Sequence, residues 1–162
     1  MRRRPVGRSL AQQAFALRAR IPEGVVALSR DRLRWTSSIT PTALSRTYLI
    51  ELCYRRRHMP EVRVRRPALE PRLGESLPHV YSGGVLCLHR DGEWNDGLLL
   101  VDTIVPWTAE WLLFYEIWHA TGEWHGGGEW PPVEASHSAT MPVAEQRTRT
   151  EIACVLPSSI DA

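Results

Sequence analysis

The chain has 162 residues, 43% of them hydrophobic and 8% aromatic, with a formal net charge of +2. That length suits one domain able to bury a core without disulfide staples. No apolar run reaches the roughly 20 residues that cross a bilayer, and the basic start, Met1 to Arg8, leads into no apolar segment with a cleavage site. Neither a membrane span nor a signal peptide is expected, and the chain reads as cytoplasmic.

Residues 8–20 are predicted helical, because Leu10, Ala14 and Leu17, with Ala11 and Phe15, recur at helical spacing. Ser9 is the natural N-cap, and Pro22 with Gly24 ends the helix. Val25 to Trp35 reads as a strand, followed by a Ser/Thr/Pro connection through Pro41. Arg46 to Arg56 gives a second strand, in which Tyr48, Ile50, Leu52 and Tyr54 make one apolar face. Glu61 to Arg66 gives a third, with Val62 and Val64 on one side and Arg63 and Arg65 on the other. These three runs predict an antiparallel meander after a helix.

Pro67 to Leu77 is punctuated by proline and glycine and reads as irregular; Asp91-Gly92-Glu93 reads as a turn into Trp94. Pro106-Trp107 opens the clearest helix, which runs to about Thr121 and stops at Gly122. Trp107, Trp111, Phe114, Tyr115 and Trp118 form an aromatic stripe on it. Gly126-Gly127-Gly128 and Pro131-Pro132 then end ordered packing. The domain is placed at residues 1–131, and residues 132–162 read as a polar, partly disordered tail with a short helix from Val143 to Ala153.

Charge is divided along the chain. Residues 1–90 hold 18 arginines against 6 acids, and residues 91–162 hold 2 against 12, so the halves are +12 and −10. Such polarity either neutralises itself across the fold or steers an oppositely charged partner. No lysine occurs, which reads as codon usage or as protection of the chain against modification of its own amines. The three cysteines, Cys53, Cys87 and Cys154, cannot all pair and are expected to be thiols, with Cys53 filling the core of an apolar strand. No Cys-x-x-Cys pair is present, although His119 and His125 flank a tryptophan-glycine turn, so neither a structural metal nor any other cofactor is expected.

The segment with the most chemistry is Leu77-Pro78-His79-Val80-Tyr81-Ser82-Gly83-Gly84-Val85-Leu86-Cys87-Leu88, with Trp94 beyond it. A proline–histidine turn and a glycine pair let the backbone fold closely around Cys87. The arrangement resembles the active-site segment of ubiquitin-conjugating enzymes, where a His-Pro-Asn turn precedes an Ile-Cys-Leu by the same interval. The order of elements over residues 8–122 is similar too, which implies an α+β fold of the ubiquitin-conjugating type. Leu-Pro-His, Leu-Cys-Leu, Val-Pro-Trp, Trp-Leu-Leu-Phe-Tyr-Glu-Ile-Trp and Thr-Gly-Glu-Trp look like the bacterial members found in CBASS anti-phage operons.

That resemblance implies a transferase whose Cys87 carries, as a thioester, the C-terminus of a neighbouring nucleotidyltransferase related to the animal DNA sensor cGAS. An acceptor amine would then take the acyl group, and a separate activating enzyme or another energy source is required. His79 stands where the family has asparagine, which leaves the oxyanion to its imidazole or to backbone N–H groups. Read from the residues, His79 is an oxyanion donor, a base, or a histidine that closes the Pro78 turn. Pro78, Tyr81 and Gly84 support the site, and Trp94 is a core anchor or a site wall. Arg90, three residues from Cys87, favours a thiolate; His89 reads as solvent-facing. Asp91, Asp96 and Asp102 orient an amine or are simply solvated. The rival reading is a non-catalytic adaptor of the same fold, holding a partner protein or nucleic acid through the arginines at 2–4, 55–57, 63, 65 and 66; of these two partners nucleic acid is the less expected.

Overall fold

The computed structural model describes residues 7–127. Helix α1 (Leu10–Arg20) begins with a reciprocal capping box. The Ser9 hydroxyl accepts from the Gln12 N–H at 3.1 Å, and the Gln12 side chain accepts from the Ser9 N–H at 2.9 Å. Two of the donors that a helix start leaves unpaired are thereby satisfied. Leu10, Ala14 and Leu17 face the core, and Phe15 projects into solvent.

Four strands follow: β1 (Val25–Leu28), β2 (Arg32–Ile39), β3 (Tyr48–Arg55) and β4 (Glu61–Arg66). They form an antiparallel sheet in sequence order. The single strand expected from Val25 to Trp35 is thus two, and the meander has four strands where three were expected. Ser29-Arg30-Asp31 makes the reversal, with the Ser29 N–H donating to the Arg32 carbonyl at 2.8 Å and Leu28 opposite Leu33. Ser29 and Asp31 are turn formers, but the loop contains neither glycine nor proline, the stronger breaks in a strand pattern. Asp31 is held from across the sheet by Arg55 at 3.0 Å.

Leu33, Trp35, Tyr48, Ile50, Leu52, Tyr54 and Val62 build the sheet's share of the core. Strand β3 departs from simple alternation, because Glu51 and Cys53 on its other face are also buried. Glu51 is paired with Arg34 and Arg65 on the neighbouring strands, which answers the cost of burying a carboxylate. Cys53 is 4% exposed and fills the core of its strand as expected, and Cys87 is a free thiol. The C-terminal tail and its expected helix lie outside the described residues.

Helix α2 (Ile104–Thr121) starts two residues earlier than expected, so Pro106 still falls in the first turn, where its missing N–H costs nothing. It ends at Gly122, whose φ of 86° gives the left-handed cap that lets its N–H reach the Trp118 carbonyl at 2.7 Å. Trp111, Leu112, Tyr115 and Trp118 are buried, as the aromatic stripe requires. Tyr48 of β3 meets Tyr115 edge-on at 6.4 Å and donates to Glu116 at 2.9 Å. Burial and that carboxylate hold the Tyr48 phenol well above its ordinary value. The described part is therefore an α+β unit with an N-terminal helix, a four-stranded antiparallel sheet and a C-terminal helix. None of its helices is long and apolar enough to cross a membrane.

Candidate functional site

The segment between the sheet and α2 folds as a miniature hairpin. Strand β5 (Val80–Tyr81) pairs with β6 (Val85–Leu86), Val80 opposite Leu86 and Tyr81 opposite Val85. The reversal is a 3-10 turn over Ser82–Gly84, with Gly83 at φ 77° and Gly84 at φ 74°. Two left-handed residues in a row are costly for any side chain with a Cβ, so this turn depends on the glycine pair. The Arg63 guanidinium of β4 donates to the Gly83 carbonyl at 3.1 Å and ties the hairpin tip to the sheet.

Cys87 follows β6 directly. Its N–H donates to the His79 carbonyl at 2.9 Å, which adds one more rung below the Val80–Leu86 pair. Diagonal neighbours on one face of an antiparallel pair lie within reach of an aromatic side chain. Tyr81 uses that reach: its hydroxyl and the Cys87 sulfur are 3.1 Å apart and share a hydrogen bond. Cys87 is half-buried, and Tyr81 is 48% exposed, so the pair opens to solvent.

His79 sits elsewhere. Its φ of 50° breaks the extended backbone between the buried Pro78 and Val80, and its side chain is only 3% exposed. The imidazole stacks on Trp124 with centroids 5.0 Å apart, and Trp124 in turn touches Trp111 and Phe114 of α2. Desolvation lowers the His79 pKa from its ordinary 6.5, so the ring is neutral at neutral pH. Of the readings open for His79, this burial favours the histidine that closes the turn.

The other expected residues divide. Gly84 shapes the turn and Pro78 is buried beneath it. Trp94 is buried and meets Tyr54 edge-on at 5.4 Å, so it is a core anchor on the sheet. His89 is half-buried with its ring 5.6 Å from Trp107, where a solvent-facing residue was expected. The Arg90 N–H donates to Glu93 at 2.8 Å, closing the Asp91-Gly92-Glu93 turn. Asp102 pairs with Arg20, whereas Asp91 is near enough for its charge to act on Tyr81. Sequence reasoning did not assign Trp124 as a wall of His79, nor Arg63 as the tether of Gly83. Arg63 carried no signal, since it reads as one of the outward arginines of an alternating strand.

Chemically, the hairpin offers one accessible nucleophile beside one neutral O–H donor, on a turn held from two sides. Among the described residues no cluster of three or more histidines, cysteines and acids could hold a metal ion. No curated protein matches the chain. A family model does: the one described as E2-CBASS, Type II CBASS E2 protein, matches residues 13–132.

Proposed function

The chain belongs to the type II CBASS E2 protein family, and from that membership we propose that it is a cysteine-dependent acyl carrier in anti-phage defence. Cys87 is the carrier. The observation that supports this reading best is the placement of the one free thiol among the described residues, solvent-accessible at the base of a glycine hairpin and hydrogen-bonded to Tyr81.

In the loading step the Cys87 sulfur attacks the activated C-terminal carbonyl of a protein, a C–S bond forms, and the activating group leaves. In the transfer step an amine attacks the thioester carbonyl, the C–N bond forms, and the electron pair of the C–S bond returns to sulfur. The C-terminus carried is that of a cGAS-like nucleotidyltransferase, a component of the same defence system. The sheet, the two helices and the cysteine hairpin do not themselves activate a carboxylate, so the activated carbonyl comes from a separate activating enzyme or another energy source. His79 and Pro78 act by holding the hairpin, and Gly83 and Gly84 by reversing it.

The test is co-expression with the nucleotidyltransferase, comparing wild type, Cys87→Ala and Cys87→Ser on gels with and without thiol. The expected result is a thiol-labile adduct with wild type, none with alanine, and a thiol-resistant ester with serine. No adduct, combined with full defence by Cys87→Ala in cells, would replace this reading with the adaptor.

A further inference from the structure

We propose that the Tyr81 hydroxyl is a catalytic group, the hydrogen-bond donor that stabilises negative charge on the Cys87 sulfur when it attacks and when it leaves. This rests on the acyl-carrier reading and adds to it the group that touches the reacting atom. Three observations converge on Tyr81. Its oxygen lies 3.1 Å from the sulfur, within the reach of an O–H···S hydrogen bond. The Cys87 backbone N–H is already committed to the His79 carbonyl at 2.9 Å. The His79 imidazole is buried against Trp124, so it has no exposed edge to offer an incoming amine.

The direction of the hydrogen bond follows the charge on the sulfur. The bond to Cys87, with burial and the nearby Asp91 charge adding to it, pushes the Tyr81 phenol up to about 12. In the resting pair the Cys87 thiol donates to the Tyr81 oxygen. A phenol held that high stays protonated across the physiological range, so once the sulfur carries negative charge the hydroxyl is the group with a proton to give, and it donates. In transfer, amine attack forms the C–N bond and an oxyanion. Collapse of that oxyanion breaks the C–S bond, and the electron pair arrives on a sulfur already facing the Tyr81 O–H. The tyrosine keeps its proton throughout, and the amine proton goes to solvent. In loading the same hydroxyl faces the charge that the sulfur carries as it attacks.

The experiment needs no partner protein. Alkylation of Cys87 by iodoacetamide is followed at the Cys87 peptide by mass spectrometry, in wild type and Tyr81→Phe, from pH 6 to 10.5. Phenylalanine keeps the ring and removes only the hydroxyl. A hydrogen bond to the negative charge on the attacking sulfur speeds the alkylation, so Tyr81→Phe should react about three- to tenfold more slowly at pH 7. The difference should shrink toward the top of the range. Equal rates at pH 7 overturn the proposal. So does a deficit of the same size at every pH, the signature of a displaced hairpin. A co-expression adduct that fails to appear would end the acyl-carrier reading without changing these rates, so the two failures are told apart.

Discussion

His79 lies nearly flat on Trp124, the two rings 5.0 Å apart at their centroids and inclined by 28°. Through this stack the residue at the base of the cysteine hairpin is held by an indole that itself leans on Trp111 and Phe114 of α2. The final turn of the described chain thus braces the site from behind. Trp124→Ala removes that brace and opens a gap between the hairpin and α2. A half-buried tryptophan is worth less than the fully buried case, and the expected loss is about 2 kcal/mol of stability. Urea unfolding followed by far-ultraviolet circular dichroism would measure it. A loss below about 0.5 kcal/mol would mean that the stack supports nothing.

The same burial gives a pH dependence. Desolvation sets the folded-state pKa of His79 below its ordinary 6.5, so the unfolded chain binds a proton more readily than the folded one. The stabilising contribution is complete above about pH 6.5 and is lost as pH falls through the folded-state value. His79→Asn removes the titration while keeping a residue that tolerates φ of 50°. Wild type should therefore lose stability more steeply than His79→Asn below pH 6.5, with parallel curves above it. Parallel curves throughout would place the imidazole in water.

Much of this arrangement was legible from residue order, and the exceptions have physical causes. The helix at residues 10–20, its Ser9 cap, the last sheet strand and the stop at Gly122 were written in periodicity and caps. The β1–β2 reversal was missed because Ser29-Arg30-Asp31 lacks a glycine or proline, and a three-residue polar break inside an apolar run is invisible to alternation. Cys87, Gly84 and Tyr81 stood out by their spacing. That His79 points into an aromatic wall did not, because a histidine after proline reads the same whether the next contact is water or an indole 45 residues away. Gln13 of α1, which is wholly buried, carried no signal, because a polar residue on an amphipathic helix ordinarily faces solvent.

Gly84 tests the hairpin directly. Its φ is 74°, and a Cβ built there meets nothing within 4 Å. Steric clash is therefore absent, and only the backbone preference opposes Gly84→Ala, at about 1–2 kcal/mol. Thermal unfolding should register that loss. Iodoacetamide reactivity at Cys87 should change with it, because β6 and the cysteine are carried on the same turn. A stability equal to wild type would show that the turn adopts another conformation in solution.

Gln13 is wholly buried and bridges α1 to the chain that follows Trp94. Its amide nitrogen donates to the Leu98 carbonyl at 2.7 Å, and its oxygen accepts from the Leu100 N–H at 2.9 Å. One side chain thus satisfies a donor and an acceptor in the irregular segment leading to α2. Gln13→Leu fits the space but leaves both backbone groups unpaired in the core, where each costs about 1–3 kcal/mol. A combined loss of about 3 kcal/mol is expected from urea unfolding. Gln13→Glu separates packing from hydrogen bonding: it keeps the acceptor for Leu100 but turns a carboxylate oxygen toward the Leu98 carbonyl. It should lose at least as much stability at neutral pH and recover part of it in acid, where the protonated carboxyl can donate again. If the leucine variant were as stable as wild type, the segment before α2 would have to find its partners elsewhere.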